Sequence, residues 1–168
     1  MRNQFLTQFT DAFAPTVWDL VQQFQIVDNE NKQLHKVLKE ALNQVLRKWT
    51  DRPPAMVSEK IKEIFEQEKL GSPFDLIPGK NDEVLGRNLK GNKKLVFDHV
   101  LPINEFIQIL IDRCHTLDDI KSKLLTYPEI CVITRDQDDM LNANHMKTKR
   151  LKYGGWKACY KAIGIKWK

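Results

Sequence analysis

Apolar residues at three- and four-residue spacings dominate the first third of the chain. Phe5, Phe9 and Phe13, then Val17, Leu20, Val21 and Phe24, trace a pair of amphipathic helical segments interrupted at Pro15. Leu34, Val37, Leu38, Ala41, Leu42, Val45, Leu46 and Trp49 carry the same period through a longer helix. That helix must end before Pro53-Pro54, because a residue preceding proline is pushed out of the helical region. A shorter helix opens at Ser58-Glu59-Lys60-Ile61 and runs through Phe65 to Leu70.

At Gly71 the period is lost. GSPFDLIPGKNDEVLGRNLKG, from Gly71 to Gly91, holds four of the seven glycines and two prolines, the composition of loop and short extended pieces. Lys90-Gly91-Asn92-Lys93 can turn a hairpin that pairs Val84 to Leu89 with the apolar run Leu95, Val96, Phe97. Two helical patterns follow, Phe106, Ile107, Leu110, Ile111 and then Leu117, Ile120, Leu124, Leu125, and Tyr127-Pro128 stops the second. Glu129 to Thr134 (EICVIT) reads as another strand, and the polar RDQDDMLNANHMKTKR after it suits a helix that starts near Asp136. The class is therefore α+β: a helical region over 1–70, a strand–strand–helix unit with a helical insertion over 71–150, and a C-terminal segment over 151–168.

Composition changes this picture in one place. With 168 residues and 42% hydrophobic content the chain can bury a core of its own, and its net charge of +5 leans toward a polyanionic partner. The charge is concentrated: Lys147, Lys149, Arg150, Lys152, Lys157, Lys161, Lys166 and Lys168 close the chain with no Asp or Glu among them, interleaved with Tyr153, Trp156, Tyr160 and Trp167. Such a segment suits contact with phosphates and with bases or sugars, Lys149, Arg150, Lys152, Trp156, Lys157 and Lys161 foremost. The plainer reading is a helix whose aromatics are core and whose lysines are solvated. Cys114, Cys131 and Cys159 are an odd number without a CxxC pair, which points away from disulfides or a cysteine zinc site and toward a reducing cytoplasmic compartment. MRNQFLTQFTDAF has no signal-peptide core and no run approaches 18 apolar residues, so a soluble protein without a membrane partner is expected.

The candidate chemistry begins at Asp98-His99, which ends the apolar run in KLVFDHVLP. Neighbours on a strand point to opposite faces, so one of the two must turn inward. The bland account is an Asp capping the next turn beside a partly buried His. On the later helix Asp138, Asn142 and His145 fall at i, i+4 and i+7 on one face, with Asp139 beside it. Carboxylates and a histidine drawn together suit phosphodiester hydrolysis. A hard cation stabilises charge building on the phosphate, and a neutral His takes the proton from the attacking water.

FDHVLP followed by VITRDQDDML resembles the ββα-metal fold of the HNH nuclease family, over about residues 84–150. The resemblance implies that His99 is the general base, that Asp98 is a metal ligand, and that the helix ligand falls on Asp138 or Asp139, the two registers from Thr134 standing equal. Arg135, Asn142, His145 and Lys147 would then support the site or hold phosphate. Two carboxylates suit Mg²⁺ or Mn²⁺ better than zinc, and no small-molecule cofactor is implied. The expected activity is endonucleolytic cleavage of DNA, of a phage nicking or homing type or a restriction type; one site would nick, and cutting both strands would call for a homodimer or two successive cuts. The alternative is a non-catalytic nucleic-acid-binding protein that uses its basic C-terminal segment.

Overall fold

The computed structural model describes residues 2–28, 30–50, 53–76, 95–127 and 130–167, with side chains from residue 6 onward. In chain order the elements are α1 (Arg2–Ile26), α2 (Lys32–Trp49), β1 (Met56–Val57), α3 (Glu59–Glu68), a 3-10 turn (Pro73–Asp75), β2 (Leu95–His99), α4 (Ile103–Arg113), α5 (Leu117–Leu125), β3 (Ile130–Thr134), α6 (Arg135–Ala143), a 3-10 turn (Leu151–Tyr153) and α7 (Trp156–Ala162). The class is α+β and mostly helical, with one small mixed sheet. Among the described residues no helix is long and apolar enough to cross a membrane. The chain divides into two compact units, residues 1–50 with 103–127, and residues 51–102 with 128–168. The short helix after Ser58 thus belongs with the sheet, and the two helices inserted between the strands belong with the N-terminal helices.

The first unit is built from α1, α2, α4 and α5. Thr10, Ala14, Val17 and Val21 are buried along one stripe of α1, and Leu38, Leu42, Leu46 and Trp49 along one stripe of α2. Helix α1 runs unbroken through Pro15, where an interruption was expected. Proline costs its helix one backbone hydrogen bond and some crowding, but fully burying an aliphatic side chain gains about 1.5–3 kcal/mol, and the stripe is buried on both sides of Pro15. Helix α2 opens at Asn31, whose Oδ1 accepts from Leu34 N at 3.1 Å. The last carbonyls of α4 are served by Gln25, whose Nε2 donates to Ile111 O at 2.8 Å and to Cys114 O at 3.0 Å. Tyr127 meets Trp49 and Phe106 with ring centroids at 5.4 and 4.3 Å.

The second unit centres on a three-stranded sheet of order β1-β3-β2. β1 is parallel to β3, with Met56 opposite Cys131, and β2 is antiparallel to it, with His99 opposite Ile130 and Leu95 opposite Thr134. Alternation sorts the side chains. Leu95, Phe97, Val57 and Val132 pack with Ile61, Ile64 and Phe65 of α3, whereas Val96, Val100, Cys131 and Ile133 pack with Leu141 of α6, Cys159 and Tyr160 of α7, and Ile165. Helix α3 starts where Ser58 Oγ accepts from Ile61 N at 3.4 Å. The chain end is stitched to the same place, since Glu59 N donates to Lys166 O at 2.9 Å. The hairpin expected from Val84 to Leu89, with Arg87, Lys90, Lys93 and Lys94 on it, lies outside the described residues.

Candidate functional site

Strand alternation answers how Asp98 and His99 are placed. Asp98 shares the parity of Val96 and Val100, so it enters the core under α6 and α7; it is only 7% exposed. His99 shares the parity of Leu95 and Phe97, on the α3 side of the sheet, and is half-buried.

A carboxylate in that core needs partners, and both of its oxygens have one. Arg150 Nη2 donates to Asp98 Oδ1 at 2.8 Å, and the Tyr160 hydroxyl donates to Oδ2. Arg150 also ties down the strand end, with Nη1 on His99 O at 2.8 Å, and its Nε reaches Met146 O at 3.1 Å. Burial pulls the Arg150 pKa down, but the Asp98 carboxylate outweighs it and holds the guanidinium charged. Burial, then the charge of Asp98, pushes the Tyr160 phenol well above its usual range, so it remains a donor. Arg150, expected on nucleic acid, is fully buried and spent on Asp98.

The carboxylates of α6 part company. Asp138 is buried, and its Oδ2 takes Lys147 Nζ at 2.7 Å and Arg135 Nη1 at 3.2 Å, while its Oδ1 is enclosed without a hydrogen-bond partner. Asp139 is exposed on the helix surface. Arg135 and Lys147, expected on phosphate, are thus drawn to Asp138. The helix itself opens one residue earlier than Asp136: Thr134 N donates to Gln137 Oε1 at 3.0 Å, and the Thr134 hydroxyl and the Lys60 ammonium both donate to Asp136. Burial raises the Asp136 pKa, but Lys60 and Thr134 prevail and hold it below the ordinary value.

Asp98 and Asp138 do not fit the divalent ion that the family resemblance implies. A cation at Asp98 would have to displace Arg150 or Tyr160, and one at Asp138 would meet two cations already there. Among the described residues no three His, Cys, Asp or Glu side chains come together as a metal site.

What does converge is positive charge. Asn142, His145, Lys147, Thr148, Lys149, Lys152 and Tyr153 line a cavity of about 350 Å³, and its described lining holds no carboxylate. Its shape depends on His145, which takes a left-handed conformation at φ 58 and turns the chain out of α6. Beyond it Lys157 and Lys161 are exposed on α7, Lys157 with its ammonium 5.6 Å from the centre of the Trp156 ring. The aromatics of the segment are largely structural: Trp156, Tyr160 and Trp167 meet edge to face at 5.1–5.7 Å. Sequence reasoning missed Tyr160 as a partner of Asp98 and Thr148 in the cavity. A buried strand-end carboxylate was the signal for the first; nothing in the pattern marked the second.

Comparison with protein-family models, curated proteins and solved structures returns no match.

Proposed function

We propose that this chain binds nucleic acid through the lysine-lined face of its second unit. One observation carries the reading: the cavity bounded by Lys147, Lys149 and Lys152 offers the ammonium groups of Lys149 and Lys152 and the neutral hydrogen-bonding groups of Asn142, Thr148 and Tyr153, with no carboxylate in its described lining, while Lys147 is held at its wall by Asp138. A polyanion brought there releases its counterions, which is the main sequence-independent source of affinity for DNA. The strongly buried base of the segment, Arg150 on Asp98, supports the reading by fixing the loop that carries these lysines, so less ordering is required on binding. Fluorescence anisotropy with a labelled duplex at increasing salt tests it. Affinity that falls steeply with salt supports the reading, and no binding at low salt sinks it.

A second reading, cleavage of the bound strand, is favoured by the order of elements. β2 ends in Asp98-His99 and runs antiparallel to β3, which leads directly into α6, the order that the HNH resemblance implies. In this reading His99 takes the proton from a water that attacks phosphorus, the opposite phosphorus–oxygen ester bond breaks, and the leaving sugar oxygen takes a proton from solvent. A plasmid-nicking assay with Mg²⁺ or Mn²⁺, with and without EDTA, for the parent and His99→Ala is the test. Nicking that His99→Ala lacks would support it, whether or not EDTA stops it; an intact plasmid with the parent rejects it.

A further inference from the structure

A second concavity of the same unit, about 610 Å³, differs in kind from the polar one. Ala158, Ile165 and Trp167 give it an apolar lining, and Lys157, Lys161 and Lys166 surround that lining, against the single carboxylate of Glu59. The backbone builds it. Gly164, at φ 75, ends α7 in the left-handed region, with its N–H on Lys161 O at 3.2 Å and Ile165 N on Tyr160 O at 2.9 Å. The turn sends the chain back so that Ile165 and Trp167 lie against the helix. A side chain added at Gly164 would meet no atom within 4 Å, so the groove is open there.

Trp167 is held before any ligand arrives. Its backbone bridges to Ser58, and its ring touches those of Trp156 and Tyr160 at 5.1 and 5.7 Å. It is nonetheless only half-buried. A fixed, partly open indole among three exposed lysines presents a plane and positive charge together. Duplex DNA can use the charge but not the plane, because its bases are stacked inside. An unpaired nucleotide uses both. An acidic peptide would use the lysines but has no need of the plane.

We propose that this groove takes an unpaired base of single-stranded nucleic acid, stacked on Trp167, with Lys157, Lys161 and Lys166 on the flanking phosphates. The proposal rests on the nucleic-acid reading above and adds a preference for single strands.

The test compares the affinity of the full chain for a labelled single strand of about twelve nucleotides, a length matched to sites of this kind, and for the duplex of the same sequence. Trp167→Leu should weaken single-strand binding roughly tenfold or more and leave duplex binding unchanged, with Trp167→Phe recovering part of the loss. Ala158→Gln, at an exposed position of α7, fills the groove without touching the core and should act in the same direction, which keeps the test decisive if Trp167→Leu does not fold. Variants that lose both forms equally, or neither, overturn the proposal and leave the nucleic-acid reading standing. A parent that binds neither form overturns both. Binding of a glutamate-rich peptide that depends on Trp167, with no such dependence for the single strand, overturns the assignment in favour of a protein partner.

Discussion

The guanidinium of Arg150 closes on Asp98, 52 residues earlier in the chain, with Nη2 2.8 Å from Oδ1 and Nη1 2.8 Å from the carbonyl of the next residue, His99. One side chain thus neutralises the only charge on the inner face of β2 and fixes the end of that strand. Tyr160 completes the set from α7. The basic C-terminal segment is therefore part of the core of its unit, and its lysines and the half-buried Trp167 ring remain to meet a partner.

Asp98→Ala should destabilise the chain by about 3–5 kcal/mol, the usual cost of leaving one member of a buried ion pair without its partner. The paired change Asp98→Leu with Arg150→Met removes both charges and should recover much of that loss, since apolar replacement of a whole buried pair is often neutral. Urea unfolding of the parent, Asp98→Leu, Arg150→Met and the pair gives the coupling directly. A parental midpoint for Asp98→Ala would mean that Arg150 does not depend on it.

Cys131 lies beside the same carboxylate. Burial first, and the charge of Asp98 second, push its thiol up to about 12, so almost no thiolate exists at neutral pH. Cys114 and Cys159 are buried as well. A thiol reagent at pH 8 should label none of the three in the folded chain and all three in urea, with labelling that tracks global unfolding. Rapid labelling of Cys131 in native buffer would place it at an open surface instead.

Most of the described elements were legible because their physics is local. The periods of α2, α4 and α5, the apolar run of β2 and the β-branched run of β3 are set by neighbours within a few residues. Pro15 misled because its cost is local and the burial of Ala14, Val17 and Val21 that offsets it is tertiary. Arg150 misled for a related reason. Among seven lysines it read as one more surface cation, and only a partner far away in sequence could turn it inward. Asp98 did carry the hint, since a carboxylate at the inner end of an apolar strand must find a donor. Of the carboxylates that the family resemblance implies as metal ligands, Asp98 and Asp138 each have cationic partners of their own, which no local pattern announced, and Asp139 is exposed.

Acid should weaken the cap of α5. The Asp119 carboxylate accepts from the backbone N–H of His115 and of Thr116, both at 3.0 Å, and the His115 bond first, then the Thr116 hydroxyl, holds its pKa below the ordinary 3.8. A depressed folded value means that the stabilisation is complete above the unfolded value and disappears as pH falls through the folded one. Asp119→Asn should therefore be less stable than the parent at pH 7, and the gap should narrow as pH drops below about 4. Urea midpoints of the two proteins at pH 7 and in acid measure it. A gap that is constant with pH would show that the carboxylate charge contributes nothing to the cap.

The lysines of the polar cavity face a sharper test than affinity alone. Each phosphate contact on duplex DNA contributes about −0.9 to the slope of log affinity against log salt. Lys149 and Lys152 are exposed and line the cavity, so changing both to Gln should flatten the slope by roughly two units and weaken binding without regard to sequence. Lys121, which pairs with Asp11 at 2.9 Å in the other unit, is the control. Lys121→Gln removes one positive charge where the paired change removes two, and should leave the slope as it is. Salt titrations of duplex binding by anisotropy, run on the parent and both variants, separate local contact from net charge. Equal flattening per lysine removed in the two variants would mean that DNA responds to the overall charge of the protein, and the cavity at Lys149 and Lys152 would lose its claim to be the site.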